Sequence, residues 1–365
     1  MTIGSIINFL ETLAPPSLQE SYDNSGLIIG SAQVQCTGIL ISLDVTEAVV
    51  EEAEKAGINL IVAHHPLIFS GLKKIQNNNY VGRTVIKAIK SDIAVYAIHT
   101  NLDNVIQGVN GKIAERLGLQ KLEVLVPKAG MLRKLHTFVP TDHLDKVRDA
   151  LYAAGAGRIG NYDEVGFVGD GTGNFKALPG ATPFVGETGQ RHYEPEARLE
   201  VIYPTEIENE LVAALKSAHP YEEVAYDLVA LQNSDPGIGT GLVGELPDEM
   251  DEISVLGLLR ERFNLKVIRH TPLTGRMVKK VALCGGAGSF LISNALRTGA
   301  EFFVTADLKY HEFFGAESRI VIADIGHFES EQFTCDLLFE RLQEKFLNFA
   351  VLKSGVETNP VKYFI

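Results

Sequence analysis

Short stretches of this chain are apolar at almost every position: residues 39–43, 60–63, 93–98 and 302–305. A strand with one wet face alternates apolar and polar side chains, so such runs belong to strands covered on both faces. Between them lie segments with apolar residues at helical spacing, at 48–55, 81–89 and 290–297. Strands of this kind alternating with helices of about ten residues give a parallel, doubly wound α/β sheet. The pattern lapses around Val126-Pro127-Lys128 and resumes beyond Ser234-Asp235-Pro236-Gly237. In the interval, strands at 136–139, 199–203 and 224–231, helices at 144–154 and 206–218, and a glycine-rich region at 155–189 with room for a hairpin spell β-α-β-β-α-β, a ferredoxin-like α+β unit. The expected plan is one α/β domain in two halves, 1–128 and 234–365, with a second domain, 129–233, inserted between them. The first half opens with a helix at 5–14. The second half is expected to carry strands at 280–283 and 319–325, helices at 308–316 and 329–346, and edge strands at 350–352 and 361–365.

Composition removes several classes of function. A net charge of -13 argues against a broad phosphate-binding surface, which needs clustered Lys and Arg, so nucleic acid is an unexpected partner. Three cysteines, Cys36, Cys284 and Cys335, are too few and too scattered for a disulfide framework or a CxxC zinc site. No run approaches the length of a membrane span, and Met1-Thr2-Ile3-Gly4-Ser5 has no basic stretch before its apolar residues. A cytoplasmic protein is expected.

The chemistry sits where strands end. The run Leu60-Ile61-Val62-Ala63 leads into His64-His65-Pro66, and the proline cannot continue a ladder. Imidazole is the commonest metal-ligand side chain, and the carboxyl ends of strands are where α/β sheets place their sites. Neighbours on a regular strand point to opposite faces, so both rings reach one place only if the strand has broken by then. Asp103 follows the strand ending near His99. His327 follows the strand ending at Ile325, and Glu331 lies one helical turn further on the same face. A helix cap at Asp103 or a solvated Glu331 would explain either acid singly. Together His64, His65, Asp103, His327 and Glu331 form a mixed nitrogen and oxygen set, too large for one open tetrahedral zinc and too small for two separate ions. Two divalent ions bridged by a carboxylate or hydroxide, roughly 3.5–4 Å apart, reconcile the count. Zinc is expected first, and Fe, Mn or Co suit the same donors.

The residues also carry a family resemblance. Tyr22-Asp23-Asn24-Ser25-Gly26-Leu27, Ala63-His64-His65-Pro66, His99-Thr100-Asn101-Leu102-Asp103, Cys284-Gly285-Gly286-Ala287-Gly288-Ser289, Thr305-Ala306-Asp307-Leu308-Lys309-Tyr310-His311 and Gly326-His327 followed by Glu331 resemble the NIF3-like proteins, widely called GTP cyclohydrolase 1 type 2 homologues. Gly180-Ala181-Thr182-Pro183-Phe184-Val185-Gly186 and His219-Pro220-Tyr221-Glu222-Glu223-Val224 resemble the longer bacterial form, whose insert is similar to PII-like and CutA-like domains. The resemblance implies a dinuclear centre at His64, His65, Asp103, His327 and Glu331, and a homohexameric ring with the centres facing inward. Tyr22 stands where the family usually has Trp, and Ala306 where it usually has Gly. Neither is a ligand position.

Weaker signals surround this set. His99 is close enough to Asp103 for a supporting or proton-transfer role. Asp307 and His311 repeat the i, i+4 spacing and would orient ligands or touch substrate, although a helix cap accounts equally for Asp307. Gly285-Gly286-Ala287-Gly288-Ser289 lacks the full dinucleotide or P-loop spacing and reads as a tight turn. His219-Pro220-Tyr221 reads as a helix end. Two functions stay open. One is a metal-dependent hydrolase of a nucleotide or phosphoester, acting through a metal-bridging hydroxide with His99 or His311 moving protons; GTP as substrate comes from the family name alone. The other is a non-catalytic, metal-stabilised regulatory or scaffold protein whose insert senses a small ligand or docks a partner.

Overall fold

The computed structural model describes residues 1–364, which fold as two units. One unit joins Met1–Pro127 to the segment from Gly237 onward; the other is Lys128–Pro236. In chain order the first half of the larger unit runs α1 (Ile3–Leu13), β1 (Gly26–Ile29), β2 (Ile39–Ser42), α2 (Glu47–Ala56), β3 (Leu60–Ala63), α3 (Tyr80–Lys90), β4 (Ala94–Ala97), α4 (Thr100–Asp103), α5 (Val109–Leu117) and β5 (Gln120–Pro127). The smaller unit runs β6 (Leu132–Pro140), α6 (Leu144–Ala153), β7 (Gly166–Lys176), β8 (Arg191–Pro204), α7 (Glu208–Ala218) and β9 (Tyr226–Ala230). The chain then continues with β10 (Gly239–Asp251), α8 (Glu252–Arg262), β11 (Arg269–His270), β12 (Met277–Ala287), α9 (Ile292–Thr298), β13 (Phe302–Ala306), β14 (Val321–Asp324), α10 (His327–Glu331), α11 (Thr334–Lys345) and β15 (Val351–Lys353).

The larger unit holds two sheets where the sequence suggested one. The first has the order β1-β4-β3-β2-β15, parallel from β4 to β15 and closed by antiparallel β1. The second has the order β11-β14-β13-β12-β10-β5, with a parallel centre of β12, β13 and β14. Each half of the chain lends a strand to the other's sheet: β15 pairs with β2, and β5 with β10. Every residue of β2, β3, β4, β13 and β14 is buried, as runs apolar on both faces require. Alternate residues serve different cores. Leu40, Ile61 and Val95 pack with Val49, Val50, Val85 and Ala88 of α2 and α3. Ile39, Ile41, Leu60, Val62 and Tyr96 join a larger core shared with Val281, Leu283, Phe302 and Val304 of the second sheet and with side chains of α1, α5, α8 and α11. Helix α2 shows why the connections are short. Thr46 accepts from the Val49 N–H at its start, and Gly57 ends it with φ +69°, a left-handed turn that costs glycine little.

The smaller unit has the strand order β7-β8-β6-β9, antiparallel throughout. Leu135, Val139, Leu199, Val201 and Tyr203 face Val147, Leu151, Leu211 and Leu215 of its two helices.

Several elements depart from the sequence reading. Helix 329–346 is two helices, α10 and α11. Helix 308–316 is a 3-10 helix, Tyr310–Ala316, because Asp307 stands at φ +58° and delays its start. Residues 361–364 form no strand; the Val361 N–H turns back to Asn359 Oδ1 at 2.9 Å, away from any ladder, and residue 365 lies outside the described residues. The pairing of β5 with β10 and the helix α8 were not anticipated. Among the described residues no helix is long and apolar enough to cross a membrane.

Candidate metal centre

The two sheets bring their carboxyl ends to one place. The strand has broken where the two rings stand: β3 ends at Ala63, residues 64 and 65 are bends, and both N–H groups turn to the same neighbouring segment, His64 to Ser42 O at 3.2 Å and His65 to Leu43 O at 2.9 Å. The break lets the side chains converge, with ring centroids 4.9 Å apart. Each imidazole is oriented through Nδ1. That atom lies 2.9 Å from the Ile98 carbonyl in His64, 2.8 Å from Asp44 Oδ1 in His65, and 2.7 Å from Asp307 Oδ2 in His327. Carbonyl and carboxylate oxygens accept, so Nδ1 carries the hydrogen and Nε2 is presented to the centre, as in metal-ligating histidines.

Glu331 receives them. Its Oε2 lies 3.0 Å from His65 Nε2, 3.1 Å from His327 Nε2 and 3.8 Å from His64 Nε2. His65 and His327 Nε2 are 3.3 Å apart. Donor atoms around a tetrahedral ion with bonds of about 2.0–2.1 Å are separated by roughly 3.3 Å, so this triangle has the size of one face of such a polyhedron. Asp103 completes the set, with Oδ1 at 3.7 Å from His64 Nε2. Both atoms are fully buried and neither has a hydrogen-bond partner. Buried polar atoms are rarely left so. An ion between them would satisfy both, and the donor set fits a divalent metal on that observation.

Electrostatics says the same. Burial holds His64 down at about 4, so it stays neutral, the form that binds metal. Burial and then the Glu331 charge push the Asp103 carboxyl well above its usual range. Burial also opposes the charge on Glu331, yet the imidazoles of His327, His64 and His65 gathered round it outweigh that and keep the carboxyl well below its usual range. The acids in turn draw charge onto the imidazoles. Burial is outweighed by Asp44 and Glu331 at His65, which rises to about 10, and by Glu331 and Asp307 at His327, which rises to about 9. A divalent cation in the same place would take over that compensation and release the protons.

His99 stands beside the set, its ring centroid 5.2 Å from that of His64 and 5.4 Å from that of His65. Its ring nitrogens belong with those of His64 and His65 to one compact group of possible ligand atoms, and His65, His327 and Glu331 form another. His99 Nδ1 donates to Asp23 Oδ1 at 2.8 Å. Asp23 also accepts from the Thr100 N–H at 3.0 Å, from the Thr100 hydroxyl and from the Asn24 N–H at 2.7 Å. Burial opposes its ionisation, but these donors win and hold its carboxyl far below the ordinary range.

His311 is placed elsewhere. It is exposed on the 3-10 helix, its ring centroid 5.1 Å from that of Tyr310, and it does not line the cavity that opens from the centre. With Asp307 outside any helix, the i, i+4 face expected to join the two does not exist, and Asp307 alone turns to His327.

That cavity, of about 1170 Å³, is lined by Asp44, His65, Phe69, His99, Asp307 and His327 together with residues of the second sheet, among them Arg269. Arg269 is paired with Asp324. Asp23, Asp44, Asn110 and Gly286 received no role from the sequence. Asp44 stands at the carboxyl end of β2, the same signal that marked Asp103. Asn110 ties the halves together: its Nδ2 donates to the Asp103 carbonyl and its Oδ1 accepts from the Gly285 N–H, both at 2.9 Å. Gly286 has φ +60°, and a Cβ there would fall 2.4 Å from Glu331 Oε1. The tight turn read from the glycines is thus also the floor under the shared carboxylate.

The chain is similar to known proteins along nearly its whole length. The family model described as Duf34/NIF3 (NGG1p interacting factor 3) matches residues 1–360. The GTP cyclohydrolase 1 type 2 homolog of Halalkalibacterium halodurans is 38% identical over 364 residues, covering 98% of each chain. The protein of the same name from Bacillus subtilis is 37% identical over 363 residues, covering 98% of this chain and 97% of its own. Among solved structures, the Bacillus cereus protein related to NIF3 superposes with a TM-score of 0.88 at 38% identity, covering 100% of this chain and 99% of its own. With the sequence matched from end to end and the same architecture in a solved relative, this chain belongs to the DUF34/NIF3 family.

Proposed function

We propose that His64, His65, Asp103, His327 and Glu331 hold two divalent cations, zinc first among those the donors suit, with Glu331 shared between them, and that the protein is a metal-dependent hydrolase. The observation that carries this reading is the pair of orphaned atoms, His64 Nε2 and Asp103 Oδ1, beside a carboxylate already surrounded by two imidazoles. Bound divalent ions supply Lewis acidity and lower the pKa of a water toward neutrality. The protein's own groups do the rest. Asp44 and Asp307 fix the tautomers of His65 and His327, while Asp23 fixes that of His99 and leaves its Nε2 as the proton-handling atom nearest the ligands. An anionic substrate would be drawn by bound cations into a cavity whose one arginine, Arg269, is already paired with Asp324, and this favours a nucleotide or phosphoester. The relatives' name points to GTP within that class.

The decisive experiment has two steps. Elemental analysis of the purified protein should find about two divalent ions per chain, and the double substitution His64→Ala with Glu331→Ala should remove them while circular dichroism is retained. The loaded protein should then turn over a member of a nucleotide and phosphoester panel, and Asp23→Asn should lower kcat more than metal content. Unchanged stoichiometry in the double variant removes the site; background turnover across the panel favours the second reading.

That second reading, a metal-stabilised regulatory or scaffold protein, is favoured by a cavity in the smaller unit. We read that unit as a ferredoxin-like, PII/CutA-like insert, on its β-α-β-β-α-β order and its strand order β7-β8-β6-β9. A homo-oligomer, as a ring of six in the cytoplasm, is the assembly we propose for the chain. Sedimentation velocity at micromolar protein tests it.

A further inference from the structure

The four-stranded sheet of the smaller unit has its helices on one face only, the face of Leu135, Val139, Leu199 and Val201. Residues of opposite parity, Phe138, Glu196 and Arg198, line a cavity of about 760 Å³ with Gly169, Gly171 and Gly173 of β7. Its size falls within the roughly 300–1,000 Å³ of small-molecule sites. A Cβ at Gly173 would fall 1.9 Å from Glu196 Oε2 and displace that side chain, so the bare strand is what lets the carboxylate lie where it does.

Glu196 is the group that a ligand in this cavity would meet. It is 8% exposed, and its Oε1 accepts from the Tyr221 hydroxyl at 2.9 Å. The Tyr221 backbone is itself anchored, its N–H donating to His219 Nδ1 at 3.1 Å while His219 Nε2 donates to the Phe138 carbonyl at 3.0 Å. The turn read from sequence as a helix end therefore positions a cavity wall. No basic side chain among the described residues pairs with Glu196, and Arg198 on the same strand pairs with Glu200 at 2.8 Å. A carboxylate has about four acceptor positions, and Tyr221 fills one of them. The rest of the lining repeats the sign: Asp170, Glu222 and Glu223 stand against Lys176 and Arg198. Aromatic rings complete it, with Tyr221 6.0 Å from Phe175 and 6.2 Å from Phe184 between centroids. Glu196 is absent from the groupings able to hold a metal ion among the described residues. A carboxylate flanked by ring faces in an apolar recess suits a cation on a carbon body.

We propose that this cavity binds a small organic cation, an ammonium or guanidinium on a flat apolar body, with its charge against Glu196 and its body against Phe175, Phe184 and Tyr221. The site belongs to the smaller unit alone, and its test is independent of whether the candidate metal centre catalyses anything.

Tryptamine is a suitable probe, because the protein contains no tryptophan and the indole anisotropy reports binding directly. Full-length protein should bind tryptamine saturably, and tryptophol, with a hydroxyl in place of the ammonium, at least about tenfold more weakly. Glu196→Gln should remove that preference by weakening tryptamine alone. Phe184→Ala, on an exposed ring whose removal leaves the fold's core untouched, should weaken both probes about threefold or more. Equal affinity for the two probes, no saturable tryptamine binding at millimolar concentration, or a Glu196→Gln variant that binds as the parent does would each overturn the proposal. So would a change of sedimenting mass in Glu196→Gln with probe binding unaltered, which would mark the face as a contact between copies of the chain.

Discussion

The candidate metal centre and the cavity of the smaller unit are built by opposite means. At the centre the space is crowded, and its chemistry comes from buried partners that aim each donor: Ile98 O behind His64, Asp44 behind His65, Asp307 behind His327, Asp23 behind His99. In the smaller unit the space comes from what is missing, three glycines along one face of β7, and one buried carboxylate, Glu196, is left facing it. The first arrangement fixes a geometry and so suits an ion, whose bonds are directional in length and number. The second fixes a charge and a shape and leaves orientation to the ligand. A donor removed from the centre should therefore cost far more than a wall residue removed from the cavity.

Glu331→Ala should show the largest effect. It removes the one oxygen that three imidazoles approach, and metal content by elemental analysis should fall to background. Gly286→Ala comes next. It adds a Cβ against the Glu331 carboxylate at a backbone angle that side chains rarely adopt, at a cost of about 1–3 kcal/mol. Thermal melts with and without metal should show most of that loss in the metal-dependent part. Asp44→Asn keeps the shape of the group behind His65 but weakens its hold on the ring. A loss of about 10–100-fold in metal affinity, read by competition with a chelator, is expected. Phe184→Ala should leave metal content unchanged and alter only probe binding in the smaller unit; an effect on metal would erase the contrast between the two regions.

How much of this was legible in the sequence follows from the length scale of each signal. His64 and His65 stood out because a strand apolar throughout ends in two polar rings and a proline, all within a few residues. His327 and Glu331 were legible as one turn of helix. Their oxygen and nitrogen do meet at 3.1 Å, in a helix of five residues that ends there, a break unmarked by glycine or proline. The pair Asp307 and His311 had the same spacing and failed, since one left-handed residue, at a position where no glycine announces it, moves the helix start to Tyr310. The exchange of β15 and β5 between sheets was invisible for another reason. β5 has one buried residue in eight and only the short Val124-Leu125-Val126 as an apolar run, and its place is set by a partner in β10 more than a hundred residues away. Asp44 and Asp23 were in plain view but silent, because an acid that orients a ligand through a second hydrogen bond has no spacing of its own.

The central claim is that His64 and Asp103 on one side, and His65 and His327 on the other, bind cations that share Glu331. Anomalous difference scattering from crystals of the metal-loaded protein tests it most directly. The account predicts two peaks roughly 3.5–4 Å apart, one against His64 Nε2 and Asp103 Oδ1, the other against His65 and His327 Nε2, with Glu331 touching both. A single peak that leaves His64 and Asp103 without a ligand contact, or no peak among these five side chains, would contradict it.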